Sequence, residues 1–198
     1  PTARFSVARP DLHLTLDGLF ASENDEMPGG FPELFHLDQV YGVNQERWKL
    51  ALEWLFSHGP MLFLVSHDWS KPYLAEIDWL VERLCSDGYP AHILSTDQLD
   101  QLHISSEGVS FKSQRIGTIW RQFPIFETRG RLIELVSLAA QGKVRMVPEF
   151  AHFGNKVWFW LFRQHLSFFR DTLGTEDFQL LNELLPDSQL ICTSEDFP

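Results

Sequence analysis

Asp11, Glu23 and Asp25 are the residues whose types and spacing best suit chemistry in this chain. The stretch Ser22–Gly30 sets Glu23, Asn24, Asp25 and Glu26 side by side just before a Pro-Gly-Gly turn. Along a strand, residues two apart point to one face, so Glu23 and Asp25 aim together while Asn24 turns away. Asp11 falls on the preceding strand, and its spacing allows it to stand beside Glu23 across a hairpin. Three oxygen-bearing side chains could then converge. Hard divalent cations such as Mg2+ take oxygen ligands, typically one or two carboxylates with phosphate oxygens and water, so the set suits a magnesium–nucleotide complex. Arg9 shares the face of Asp11 and is placed to hold a phosphate oxygen bidentately. The same residues also fit a plainer description, an acidic hairpin facing water, because exposure is the commonest fate of Asp and Glu.

The elements that must position these residues follow from the apolar pattern. Residues 4–16 alternate around Val7, Leu12, Leu14 and Leu16; Asp17-Gly18 supplies a turn, and Leu19 to Glu23 forms the return strand, giving a hairpin with one apolar face. After Pro28-Gly29-Gly30, helical spacing runs from Pro32 to Tyr41, and Asn44 is placed to cap a second helix carrying Trp48, Leu52, Leu55 and Phe56. The texture then changes. Met61 to Val65 is a continuous apolar run expected of a strand covered on both faces, Tyr73 to Cys85 an amphipathic helix, and Ala91 to Leu94 the next strand. A short helix capped by Ser95, a hairpin around Glu107-Gly108, a strand over 116–120, a helix over 131–140 and a strand over 144–147 continue the alternation. The spacing therefore predicts an α/β protein with a parallel sheet flanked by helices. The stretch from Lys156 to Phe169 is apolar nearly all round, which predicts a buried helix, either core or an interface to another lobe or subunit.

Composition narrows the function. The 198 residues are 44% hydrophobic and 14% aromatic, enough for a real core. Sixteen basic against twenty-seven acidic residues give a formal charge of -11 with no Lys/Arg cluster, which argues against a nucleic-acid surface. No apolar stretch reaches the roughly 18 residues of a membrane span, and no basic-then-apolar leader opens the chain, so the expectation is a cytoplasmic protein with no membrane partner. Cys85 and Cys192 lack the paired spacing of a zinc or redox site and are expected to be small buried residues. No P-loop, Gly-x-Gly-x-x-Gly, nucleophile elbow or paired-histidine motif is present.

Four further residues are candidates for substrate contacts. Ser66 and His67 follow the first buried strand, at the carboxyl edge where open α/β sheets bind ligands; loop polarity and helix capping explain them equally well. Arg121 ends another strand on that edge, where it suits either a substrate carboxylate or a salt bridge. Lys156 begins an almost wholly apolar helix, so its charge must reach a ligand or snorkel to water.

The residues Arg9-Pro10-Asp11, the turn at Leu16-Asp17-Gly18 and the run Glu23–Gly30 resemble the metal-binding end of ATP-grasp enzymes, where an acid precedes a Glu-x-Asn-x-Arg-Pro-Gly-Gly strand and turn. Glu23, Pro28, Gly29, Gly30 and the upstream Asp11 match that pattern. Asp25 stands where asparagine is usual, and Met27 where arginine is frequent. Because the hairpin precedes the strand-helix-strand region, the order is similar to the circularly permuted group related to glutathionylspermidine synthetase. Gly117–Pro124, Phe153–Phe162 and Leu184-Leu185-Pro186 resemble later segments of that group.

The resemblance implies a Rossmann-like pre-ATP-grasp domain over 43–198 and, over 1–42, an N-terminal hairpin and helix segment belonging to the metal-binding edge of the ATP-grasp part. It implies an ATP-dependent carboxylate–amine ligase working through an acyl phosphate, with ATP as co-substrate, Mg2+ held by Asp11, Glu23 and Asp25, a catalytic Arg9, and small-molecule carboxylate and amine substrates met by Ser66, His67, Arg121 and Lys156. The lysines and hairpin that hold the nucleotide in that group follow the last matched segment, so the expectation is a piece of a longer enzyme, inactive alone. The alternative is a non-catalytic ligand-binding or interaction domain that keeps the architecture, a reading favoured by Asp25 and Met27.

Overall fold

Met61–Val65 has no polar interruption because it forms β3, a strand at most 1% exposed along its whole length. The computed structural model describes residues 9–188 except 17, 26, 28, 70 and 150–155, and the side chains of Arg9, Glu23, Asn24 and Ile125 also lie outside the described set. The chain divides into two compact units.

The first unit spans Met27–Glu149 and is built on a four-stranded parallel sheet. Its strands are β3, β4 (Ala91–Ser95), β8 (Thr118–Gln122) and β9 (Arg145–Val147), in the spatial order β4-β3-β8-β9. Successive residues of β3 serve opposite faces, as the strand period requires. Met61, Phe63 and Val65 join a core with α1 (Phe31–Tyr41), α2 (Gln45–Leu55) and α3 (Leu74–Ser86). Leu62 and Leu64 pack on the other side with α4 (Arg131–Ala140) and a small antiparallel sheet of β5 (His103–Ser105), β6 (Gly108–Phe111) and β7 (Gln114–Ile116). The expected α/β architecture with a helix-flanked parallel sheet is what the chain forms.

Two features hold the first face together. Phe31 packs 5.1 Å from Trp48 and 4.7 Å from Trp120, ring centre to ring centre, which seats the start of α1 on the sheet. The buried Asp38 accepts hydrogen bonds from Trp48 Nε1 at 2.7 Å and Asn44 Nδ2 at 3.1 Å, joining α1 to α2. Asn44 therefore stands at the N-cap position of α2 but does not cap it. It has a left-handed backbone (φ 54°), and its side chain is spent on Asp38. Ser95 likewise precedes a 3-10 turn, Thr96–Gln101, without capping it.

The second unit contains the hairpin of β1 (Arg9–Thr15) and β2 (Gly18–Asp25), with α5 (Val157–Gln164), α6 (Leu166–Thr172) and α7 (Thr175–Leu184). The helix α7 packs against β2. Phe162 is its aromatic centre, with ring centres 5.1 Å from Phe169 and 5.9 Å from Phe178. Arg163 ties α5 to the end of α7 through Asn182 Oδ1 at 2.8 Å and the carbonyl of Leu185.

Several expectations need correction. The division into units does not follow a boundary at residue 42, because α1 belongs with the sheet and the last helices with the hairpin. The single buried helix over 156–169 is two helices broken at His165 (φ -125°, ψ 38°), and the break turns Phe168 outward to 62% exposure. Cys85 is exposed, with Sγ donating to the carbonyl of Ala91 at 3.4 Å; Cys192 lies outside the described residues. Among the described residues no helix is long and apolar enough to cross a membrane.

Candidate functional site

The hairpin ladder begins in simple register, with Thr15 opposite Gly18, Leu14 opposite Leu19, His13 opposite Phe20 and Leu12 opposite Ala21. Continued without change, that register would set Asp11 against Ser22 and Arg9 against Asn24. It does change. One extra residue, Ser22, enters β2, and beyond it Asp11 faces Glu23, Pro10 faces Asn24 and Arg9 faces Asp25. A bulge of this kind re-aims the following side chains, and here it moves two acidic positions onto the face shared by Asp11 and Arg9. The Ser22 hydroxyl donates to the Asp11 carbonyl at 3.4 Å and lies 2.8 Å from His13 Nε2, fixing the irregularity from both sides.

Directly opposed positions in an antiparallel ladder hold their Cβ atoms roughly 5 Å apart, and diagonal ones roughly 7–8 Å apart. Asp11, Glu23 and Asp25 therefore occupy neighbouring ladder positions, with Arg9 at the position across from Asp25. A donor set of carboxylates alone, with no thiolate or imidazole among the three, fits Mg2+ rather than a softer metal. The side chains of Arg9 and Glu23 lie outside the described residues, so the arrangement is one of backbone positions. Among the described residues no three His, Cys, Asp or Glu side chains group as a metal site.

Gly29 and Gly30, in the turn after the hairpin, belong to the sheet unit. Gly30 is left-handed (φ 69°) and precedes α1, while a Cβ on Gly29 would stand 2.7 Å from the Tyr73 ring. Met27, at the position where the resembled motif has arginine, offers its carbonyl to Gln122 Nε2 at 3.4 Å.

The carboxyl edge of the sheet holds Ser66, His67 and Arg121, but in different ways. Ser66 is fully buried; its hydroxyl donates to Glu127 Oε1 at 2.6 Å and accepts from the Trp69 amide at 3.0 Å. Arg121 is 2% exposed and donates to the carbonyls of Phe123 at 2.8 Å and Pro148 at 3.2 Å. Both serve the scaffold. His67 is the accessible one, with about half its side chain exposed and Nδ1 3.4 Å from Asp97 Oδ2. A hydrogen bond from Ser95, reinforced by the charge of His67, holds the Asp97 carboxyl below its ordinary value. Lys156 is exposed at the start of α5, in the hairpin unit.

Sequence reasoning missed Glu76. It stands in the first turn of α3, where the residue type alone says only that acids favour helix starts. Its Oε1 is buried with no hydrogen-bond partner, beside a water-sized cavity of about 10 Å3 lined also by Tyr73, Trp120 and Gln122. Burial, then the nearby Glu33 carboxylate, raises the Glu76 carboxyl above its ordinary value, against the pull of a Gly30 N–H bond.

No family model matches the chain, and no curated protein matches it.

Proposed function

We propose that the chain is the metal-binding edge and Rossmann-like, pre-ATP-grasp part of an ATP-dependent carboxylate–amine ligase. The observation that carries this reading is the bulged register, which puts Asp11 opposite Glu23 and Arg9 opposite Asp25 on one ladder face. Three carboxylates beside one guanidinium are the parts needed to hold a metal and a phosphate together. Asp11, Glu23 and Asp25 would hold Mg2+, and Arg9 would steady the oxygens of the phosphoryl group passing from ATP to a substrate carboxylate. The acyl phosphate so formed would be attacked by an amine, releasing phosphate and closing an amide. A Mg2+ ion held there supplies charge neutralisation on the transferred group. His67 and Lys156 are the exposed candidates for contact with the acid and amine, and the cytoplasm is the compartment that suits ATP as co-substrate.

A second reading, a ligand-binding or interaction domain without catalysis, draws support from Ser66 and Arg121, whose polar atoms are committed to scaffold bonds. Mn2+ used as a paramagnetic probe tests the metal part directly. Amide signals of residues 11, 12 and 22–25 should broaden first in the NMR spectrum, and D11N or E23Q should abolish the effect. Uniform broadening, or broadening untouched by E23Q, would remove the metal site and the ligase with it. Phosphate release from ATP by the full-length protein, dependent on added carboxylate and lost in E23A, separates the ligase from the second reading.

A further inference from the structure

The spatial order β4-β3-β8-β9 makes β3 and β8 the pair at which the chain's path across the sheet reverses. Ligands of open parallel sheets bind outside the carboxyl ends of the strands at such a reversal. Two loops leave the sheet at that point, the turn after β3 that carries Trp69 and the 3-10 turn Ile125–Glu127 that follows β8. A single buried hydroxyl joins them: Ser66 Oγ donates to Glu127 at 2.6 Å and accepts from the Trp69 amide at 3.0 Å. The Ser66 amide adds a bond to the Gln122 carbonyl at 2.8 Å, so both loops start from one fixed point.

What the bracing presents is aromatic. Trp69 and Phe126 meet edge to face, ring centres 5.4 Å apart at 78°, yet Trp69 is 59% and Phe126 67% exposed. Two large rings left in water at the end of a sheet give up apolar burial that a short polar loop would not need. An edge-to-face pair leaves a right-angled corner, in which a third ring can lie on one face and meet the edge of the other. His67, about half exposed and oriented by Asp97, stands one turn residue away on the same loop as Trp69 and offers a polar contact beside the rings.

We propose that Trp69 and Phe126 form a binding corner for a small ligand carrying a planar aromatic ring, at the carboxyl edge between β3 and β8. The site belongs to the sheet unit alone and is independent of the ligase reading. The ring is the recognised chemistry. A purine base and an aromatic amino-acid side chain both supply one, and an uncharged carrier suits a chain with net charge -11.

Adenosine, N-acetyltyrosinamide and the non-planar cyclohexanol serve as probes, titrated into the whole chain while the indole N–H signal of Trp69, assigned with W69F, is followed by NMR. A saturable shift with adenosine, with N-acetyltyrosinamide or with both, and none with cyclohexanol, is the expected result, and which of the two saturates first identifies the source of the ring. W69A and F126A should each weaken binding by about tenfold or more, the size expected for losing one stacking partner. Both side chains are largely exposed, and thermal unfolding of each variant checks that the fold survives. W79F, on α3, should bind as the parent does. The proposal is overturned if neither aromatic probe saturates, if cyclohexanol competes equally, or if folded W69A and F126A both keep the parent affinity.

Discussion

In the sheet unit every side chain of β3 is at most 1% exposed, whereas on β1 of the hairpin unit Leu12 is 47% and Leu14 84% exposed. The residue types are similar and the secondary structure is the same. The difference lies in layers: β3 has helices on one side and α4 with a small sheet on the other, so both of its faces earn burial. Two paired strands offer far less, and an isolated two-stranded ladder is marginal in water. Stability therefore concentrates in the sheet unit, while the hairpin unit carries the charged positions on which the proposed chemistry depends. Substitutions in the first should act through the fold, and those on the hairpin face through function.

Phe63→Ala should have the largest effect, because the ring is 1% exposed and lies 5.9 Å from Trp120 in the core that seats α1, α2 and α3. A loss of about 3–5 kcal/mol is expected on urea denaturation. Gly117→Ala comes next. Its Cβ would fall 2.1 Å from the His58 carbonyl oxygen and 2.8 Å from the Gly59 nitrogen, both backbone atoms that cannot swing aside, so a cost of about 3 kcal/mol is expected. Leu14→Ser sits at the other end of the comparison and should change stability by no more than about 0.5 kcal/mol. If it instead costs about 2 kcal/mol, the value of a buried leucine, the contrast between the units breaks at that residue.

The sheet was legible for the reason that makes it stable. A strand covered on both faces reads as an unbroken apolar run, and Met61–Val65 has no other simple explanation. The break at His165 left a fainter trace: neither glycine nor proline stands there, the polar Arg163-Gln164-His165 fits the wet side of one longer helix equally well, and the packing of Phe162 against Phe169 and Phe178 shows where the chain turns. Cys85 was misplaced because apolar character on an amphipathic helix does not say how far the burying surface extends. At the candidate site the acidic spacing and the turn were visible, but the meeting of Asp11 with Glu23 rests on Ser22, and no propensity marks a serine as a bulge. Glu127, which joins the two edge loops, lies 61 residues from Ser66, a pairing that only the folded sheet brings about.

Glu76 offers the finest test, because its Oε1 is buried without a hydrogen-bond partner. Its folded-state carboxyl titrates above the ordinary value, chiefly through burial. Over that interval the folded chain binds more protons than the unfolded chain, so stability is highest at pH below the ordinary carboxylate value and falls as pH rises through the raised one. This is opposite in sign to the contribution of Asp97, whose lowered carboxyl lends stability as pH rises through the acid range. Melting temperatures of the parent and E76Q across the acid-to-neutral range separate the two. E76Q should remove the downward component and leave the upward one, so the two curves should draw together at low pH and part as pH rises, with E76Q the more stable at neutral pH. Parallel curves would mean that folding leaves the Glu76 carboxyl at its ordinary value, and that the cost of its burial is offset at the cavity beside Tyr73 and Trp120.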